Sequence, residues 1–264
     1  MVIEPPAASA TAAPPLSRGR IRAEILIVLG LGLGQSAVYS IVNLIDISTR
    51  GPISGQSTTL NPSVSDRQYF DLTYQLLAIV FALMPVVLVC FLMWNPGGRR
   101  LARVGLDARR PVFDGIGGIA IALVIGAFGI LVYVGGRYLG LSVLVDPGGL
   151  ANYWWTVPVL LLSAFRAAAQ EEIVVIGYLY ARLRELGWPR WAIVLGPAVL
   201  RGSYHLYQGY SAFVGNFLMG VVFGILYLWK GRLWPLLIAH FLIDAAVFVG
   251  YPFAYPLLHQ WGVV

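Results

Sequence analysis

In FRAAAQEEIVVIGYLYARL, residues 165–183, two adjacent carboxylates, Glu171 and Glu172, stand inside an otherwise apolar run. Further along, RGSYH places Arg201 four residues before His205, and HFLID places His240 four residues before Asp244. Side chains four apart share a helix face, so three segments each present ionisable groups to a common interior. These residue types suit two chemistries. A carboxylate and an imidazole can hold and deprotonate a water that attacks a carbonyl, while a second imidazole with a hydrogen-bonding neighbour stabilises the oxyanion. Alternatively, two histidines and a carboxylate, here Glu171, His205 and His240, form a zinc set with an open position for water. Either would hydrolyse an amide. At ~100° per α-helical residue, Glu171 and Glu172 point in different directions. One is expected at the centre of the site and the other bracing a neighbouring helix.

The elements that position these groups must cross a membrane. The chain is 264 residues long, 58% hydrophobic and 11% charged, with a mean hydropathy of +0.76, outside the range of soluble domains. Spans need ~20 apolar residues, and seven stretches qualify: 25–45, 69–93, 112–134, 155–179, 191–207, 212–228 and 233–248. The expected fold is all-α, a polytopic helical bundle, with Pro197 bending or shortening the fifth span. Domain divisions are expected at 1–20, a disordered cytoplasmic tail rich in Pro and Ala; 21–150, the first three spans; 151–250, the catalytic core; and 251–264, a C-terminal tail carrying a surface His259.

Basic residues gather in alternate loops, leaving Arg50, Arg67 and Arg137 on the other side. This places the N-terminus in the cytoplasm of a multi-pass cell-membrane protein, most simply a bacterial plasma-membrane one. Contact with the lipid bilayer and the topology signal account for the net charge of +6 without any nucleic acid. Cys90 stands alone, so a disulfide and a thiolate metal cluster are excluded. Arg166, Glu171, Glu172, Arg201, His205, His240 and Asp244 all fall within spans. A charge at mid-helix costs ~2.5–3.5 kcal/mol, so the clustering marks a functional polar site. Ser203 with His205 or His240 makes a poor serine dyad, because residues two apart on a helix face away from each other.

Ordered as they are, these motifs resemble the CPBP family of intramembrane proteases, also called the CAAX protease and bacteriocin-processing or ABI family, which includes the Rce1-type CaaX endopeptidases. The family pattern is EExxxR, FxxxH and HxxxN or HxxxD. Here those positions read EEIVVI from Glu171, RGSYH to His205 and HFLID from His240, over about residues 153–250. The resemblance implies that Glu171 is the general base, assisted by His205, that His240 and Asp244 bind the oxyanion, and that Glu172 supports the architecture. Family members have often been called metalloproteases, though the better-understood ones resemble glutamate-dependent, metal-free hydrolases. Two departures complement each other: Ile176 replaces the family arginine, and Arg201 replaces the family aromatic. Arg201 is therefore expected to pair with Glu172 across helices.

The function expected is an intramembrane endopeptidase acting on a peptide or a membrane-protein substrate. The alternative is a catalytically degenerate member serving as a scaffold, immunity or transporter-like protein. Outside the three motifs, Arg166 is expected to bond Gln170 or extend toward the outer face, Asn216 to bond a neighbouring helix or line the cavity, Gly220 and Gly224 to permit close packing, and Trp154 and Trp155 to mark the membrane interface. Tyr204, Tyr207 and Gln208 shape a substrate path or simply sit near the boundary.

Overall fold

The computed structural model of the protein describes residues 16–94, 104–146 and 149–260. Most of the expected N-terminal tail, with Arg99, Arg100 and Arg103, lies outside those residues. The described chain is an all-α bundle. α1 (Arg18–Gly30) starts at Ser17, whose hydroxyl accepts from the Arg20 amide at 3.3 Å. It bends by 55° into α2 (Leu33–Arg50). A Cβ at Gly32 would lie 3.0 Å from Gln170 Nε2 and 3.4 Å from Pro85. The missing side chain thus lets the break pack beside the paired glutamates.

Pro85 opens α4 (Met84–Met93) directly after α3 (Gln68–Ala82). α5 (Pro111–Tyr138) follows, with most of its length on the outside of the bundle: Val112, Leu123, Val124 and Leu131 are each about 70% exposed, as suits contact with acyl chains. α6 (Thr156–Ala169) runs through a π-helical segment, Gln170–Leu179, into α7 (Tyr180–Glu185). α8 (Arg190–Ser203) ends far short of residue 207, and α9 (Tyr210–Lys230) stops at Gly231, which takes the left-handed φ of 66°. α10 (Trp234–Gln260) continues past residue 250, so the boundary drawn there falls within a helix. α10 packs on α5 and α6, and α9 on α8. A small parallel pairing of β1 (Ser57–Thr59) with β2 (Leu144–Asp146) ties two loops together.

Among the described residues, length and apolarity qualify four helical runs as spans, Gln68–Met93, Pro111–Tyr138, Tyr210–Lys230 and Trp234–Tyr251, and a fifth if the bent α1–α2 pair counts as one. The expected count of seven is therefore not reached by this measure. The fourth stretch is helical throughout but carries Arg166, Glu171 and Glu172. The fifth has only 14 helical residues, about 21 Å at 1.5 Å each, against ~30 Å of hydrocarbon. Irregular backbone at that depth survives only against protein or a wet cavity, and residues 204–209 pack against α2, where Ser40 accepts from the Tyr207 backbone N–H at 2.7 Å.

Two ionic clasps close the bundle on the side where α1 begins. Arg182 is 4% exposed and donates to Glu24 at 2.8 Å, as does the Tyr178 hydroxyl at 3.0 Å. Arg232 bonds Asp114 at 2.6 and 2.5 Å and Asp107 at 3.1 Å. Gly105, at φ 79°, brings its backbone against Gly231 and Arg232 where a side chain would collide. Arg182 and Arg232 belong by position to the basic loops that set the topology, yet both are buried ion-pair partners.

Candidate functional site

Four of the polar residues expected at the site converge on the Arg201 guanidinium or its immediate partners. Arg201, 1% exposed, donates through Nη1 to Glu172 Oε1 at 2.8 Å and lies through Nη2 3.3 Å from Glu171 Oε2. Its Nη2 is 3.0 Å from His240 Nδ1, and its Cζ stands 5.3 Å from the Phe223 ring centroid. His240 Nδ1 is also 2.8 Å from Glu172 Oε1, and Nε2 is 3.5 Å from Asp244 Oδ2. The cross-helix pairing expected between Arg201 and Glu172 is present.

Both glutamates reach one guanidinium, contrary to the divergence drawn from α-helical geometry. They lie in the π-helical segment, whose i→i+5 winding turns less per residue than an α-helix. The long arginine spans what angle remains. Ile176 and Arg201 line one small gap between α8, α9 and the π segment, so the apolar side chain and the cation are neighbours. Gly220 makes this approach feasible, because a Cβ there would meet Ala198 at 3.1 Å and Arg201 Cδ at 3.2 Å.

His205 stands beyond the end of α8. Its Nδ1 lies 2.9 Å from the Arg201 carbonyl oxygen, which can only accept. Nδ1 therefore carries the proton, and Nε2 of the neutral ring is left with a lone pair. The expected helical sharing of a face by Arg201 and His205 becomes a ring-to-backbone bond, because the helix has already ended. Glu171 remains within electrostatic reach of His205, His240 and Arg201. For His240, Nδ1 donates to Glu172 Oε1 at 2.8 Å, while Nε2 faces the Asp244 carboxylate at 3.5 Å, so both ring nitrogens meet carboxylates.

Tyr204 is the member least visible in the sequence. Its hydroxyl donates to Glu171 Oε2 at 2.9 Å, and its ring packs with Leu33, Ala37 and Val175. Tyr204 and Tyr207 also line a cavity of about 540 Å³ with Ser36, Tyr39, Ser40, Val42, Asn43 and Asp46. Glu172 Oε2 and Arg201 Nε are buried without a hydrogen-bond partner among the described residues.

Other expectations resolve differently. Arg166 shows no bond to Gln170 among the described residues. Asn216 donates to Ala212 O within its own helix at 3.0 Å rather than to a neighbour. Trp154 is 74% exposed, but Trp155 is 1% exposed and packs with Ile79 and Val159. Ser203 bonds Val199 O and faces away from the cluster. Gly224 packs against the Tyr180 hydroxyl, in line with its expected role.

Among the described residues no three His, Cys, Asp or Glu side chains converge as metal ligands. Of the expected set Glu171, His205 and His240, the Arg201 guanidinium lies beside Glu171 Oε2 at 3.3 Å and His240 Nδ1 at 3.0 Å, while His205 Nδ1 meets the Arg201 carbonyl oxygen.

The fold and the buried polar cluster define a helical, multi-pass membrane protein with its ionisable groups gathered inside the bundle. Residues 153–246 match the family model described as Rce1-like, type II CAAX prenyl endopeptidase, and over this segment the chain is Rce1-like. No curated protein and no solved structure matches the chain.

Proposed function

We propose that the protein is an intramembrane endopeptidase of the CAAX-protease type that hydrolyses a peptide bond without a metal. The observation that carries this reading is the convergence of Glu171, Arg201 and His240, from three separate helices, within an Rce1-like segment. Glu171 Oε2 receives both Tyr204 and Arg201, while Oε1 has no hydrogen-bond partner among the described residues. In this reading Oε1 takes a proton from water as the oxygen attacks the scissile carbonyl carbon. The carbonyl electrons move to oxygen, where His240 Nε2 stabilises the charge, with Glu172 at Nδ1 orienting that ring and Asp244 beside Nε2 completing the oxyanion side. The C–N bond then breaks, and the proton held by Glu171, relayed through His205, passes to the leaving nitrogen. An acid and an amine result.

Glu172 and Arg201 hold the frame. The substrate is proposed as a peptide or the tail of a membrane protein, and the membrane as a cell membrane.

The test compares wild type with Glu171→Gln in lipid nanodiscs offered a library of peptides, with new termini read by mass spectrometry. The wild type should create new termini and the variant should lose about 10²–10⁴-fold of the rate, as expected for removal of a general base. Equal cleavage by both would remove Glu171 from the chemistry. An inert wild type would favour the scaffold reading.

A further inference from the structure

We propose that the cavity between α2 and residues 204–207 receives the substrate's extended, uncharged peptide chain, and that Tyr204 is the positioning residue through which this chain meets Glu171. The inference rests on the hydrolytic reading above.

The cavity is an open groove, with Tyr39, Val42 and Asn43 exposed along its rim, and its volume of about 540 Å³ lies within the ~300–1,000 Å³ of small-molecule sites. Its polar lining is costly in its setting. Ser36 lies midway along the bent run from Arg18 to Arg50, and Ser36, Ser40 and Asn43 follow one helix face at i, i+4 and i+7. Ser40 accepts from the Tyr207 backbone N–H at 2.7 Å, pinning the far wall. Ser36 and Asn43 are exposed and have no hydrogen-bond partner among the described residues. Lone hydroxyl and amide groups at membrane depth call for water or a polar occupant.

The lining also indicates which occupant. Asp46 is the one acidic lining residue, and Arg50 already engages it. What remains are hydroxyls, an amide, three tyrosine rings and Val42, which match the alternating N–H and C=O groups of an extended main chain better than an ion. At the inner end stands Tyr204, 5% exposed, with its ring 4.9 Å from that of His205. Its hydroxyl and Arg201 fix Oε2 of Glu171. This sets the rotation of the carboxylate and leaves Oε1 as the oxygen to face a chain arriving along the cavity.

The experiment uses the full-length protein in phosphatidylcholine nanodiscs, with the photocrosslinker p-benzoylphenylalanine placed at Tyr39 or, as a control on the lipid face of α5, at Val124. The probe is a fluorescein-labelled mixture of short, uncharged peptides. Labelling is expected at 39 and not at 124, should persist in Glu171→Gln, and should fall at least about tenfold in Ser36→Trp, a loss equivalent to ~1.4 kcal/mol. Asn43→Trp, on the exposed rim, gives the same reading without touching packed residues.

Equal labelling at both positions, or only lipid adducts at 39, would overturn the assignment. Cleavage by a wild type that stays unlabelled at 39 would leave hydrolysis standing and sink the cavity. Labelling at 39 with no cleavage by any form would do the reverse. For Tyr204→Phe, kcat on a cleaved library peptide should drop about tenfold or more, from loss of a hydrogen bond to a charged group, with KM unchanged. An unchanged kcat, or a rise confined to KM, would remove Tyr204 from this role.

Discussion

Arg201 Nη1 lies 2.8 Å from Glu172 Oε1, with both side chains fully buried, and this contact joins α8 to the π-helical segment at the centre of the bundle. Removing one partner of a buried pair costs about 3–5 kcal/mol because the other charge is stranded. Arg201→Met should therefore lower the thermal stability of the protein in detergent by a large step, while Arg201→Met combined with Glu172→Gln should recover most of it. A double variant as unstable as the single one would show that the ion pair is not what the arginine supplies.

His205 tests the catalytic half of the cluster separately. Its Nδ1 is engaged by the Arg201 carbonyl, so Nε2 is the free nitrogen. His205→Gln should reduce kcat by about 10²-fold or more, in the range of general acid–base contributions, with little change in melting temperature. Equal losses in kcat and stability would recast the ring as a packing element.

Chelation addresses the second chemistry that the residue types allow. The guanidinium placed between the glutamates and His240 already supplies the positive charge there. Treatment with 1,10-phenanthroline followed by desalting should leave peptide hydrolysis unchanged. Activity lost on chelation and restored by added Zn²⁺ would overturn the metal-free reading.

Much of this arrangement was legible because charge within an apolar span is so costly. Glu171, Glu172, Arg201, His240 and Asp244 stood out on that ground alone, and the exchange of Ile176 for Arg201 pointed to a contact across helices. The π-helical winding was not legible, since nothing in EEIVVI distinguishes an i→i+5 ladder from an i→i+4 one. That winding is what brings both glutamates to one guanidinium while Glu172 still braces α8 through Arg201. Tyr204 was lost among ordinary boundary tyrosines, because its direction depends on α8 ending at Ser203. The shortness of α8 had one visible sign, Pro197, but the helix passes through that proline and stops later. Arg182 and Arg232 were hidden for the opposite reason: arginines near loops look like topology signals until Glu24 and Asp114 are seen beside them.

Close packing behind the site gives a further prediction. A Cβ at Gly220 would meet Ala198 at 3.1 Å and Arg201 Cδ at 3.2 Å. Gly220→Val should force α9 from α8, costing about 1–3 kcal/mol of stability as overpacking does, and displace Arg201 enough to lower activity. Gly129, which has nothing within 4 Å of its notional Cβ, serves as the control, and Gly129→Ala should be silent. Equal effects at the two glycines would argue that helix flexibility rather than fit is at stake.

The loop clasp around Arg232 has a pH signature of its own. The backbone N–H of Arg109, together with Arg232, holds the Asp107 carboxyl below its usual range, and Asp114 with Asp107 pushes the Arg232 guanidinium further up. Arg232 therefore stays charged throughout the accessible range, and Asp107 is the carboxylate of the clasp to follow. Because its folded pKa is depressed, its contribution is fully present above the unfolded value of about 3.9. It fades as pH falls through the lower folded value. Melting temperatures of wild type and Asp107→Asn should thus differ at pH 6 and converge as the pH is lowered below about 4. The difference between the two proteins is the quantity to follow, since other carboxylates titrate in both. A gap that widens on acidification would mean that the aspartate opposes the clasp instead of closing it.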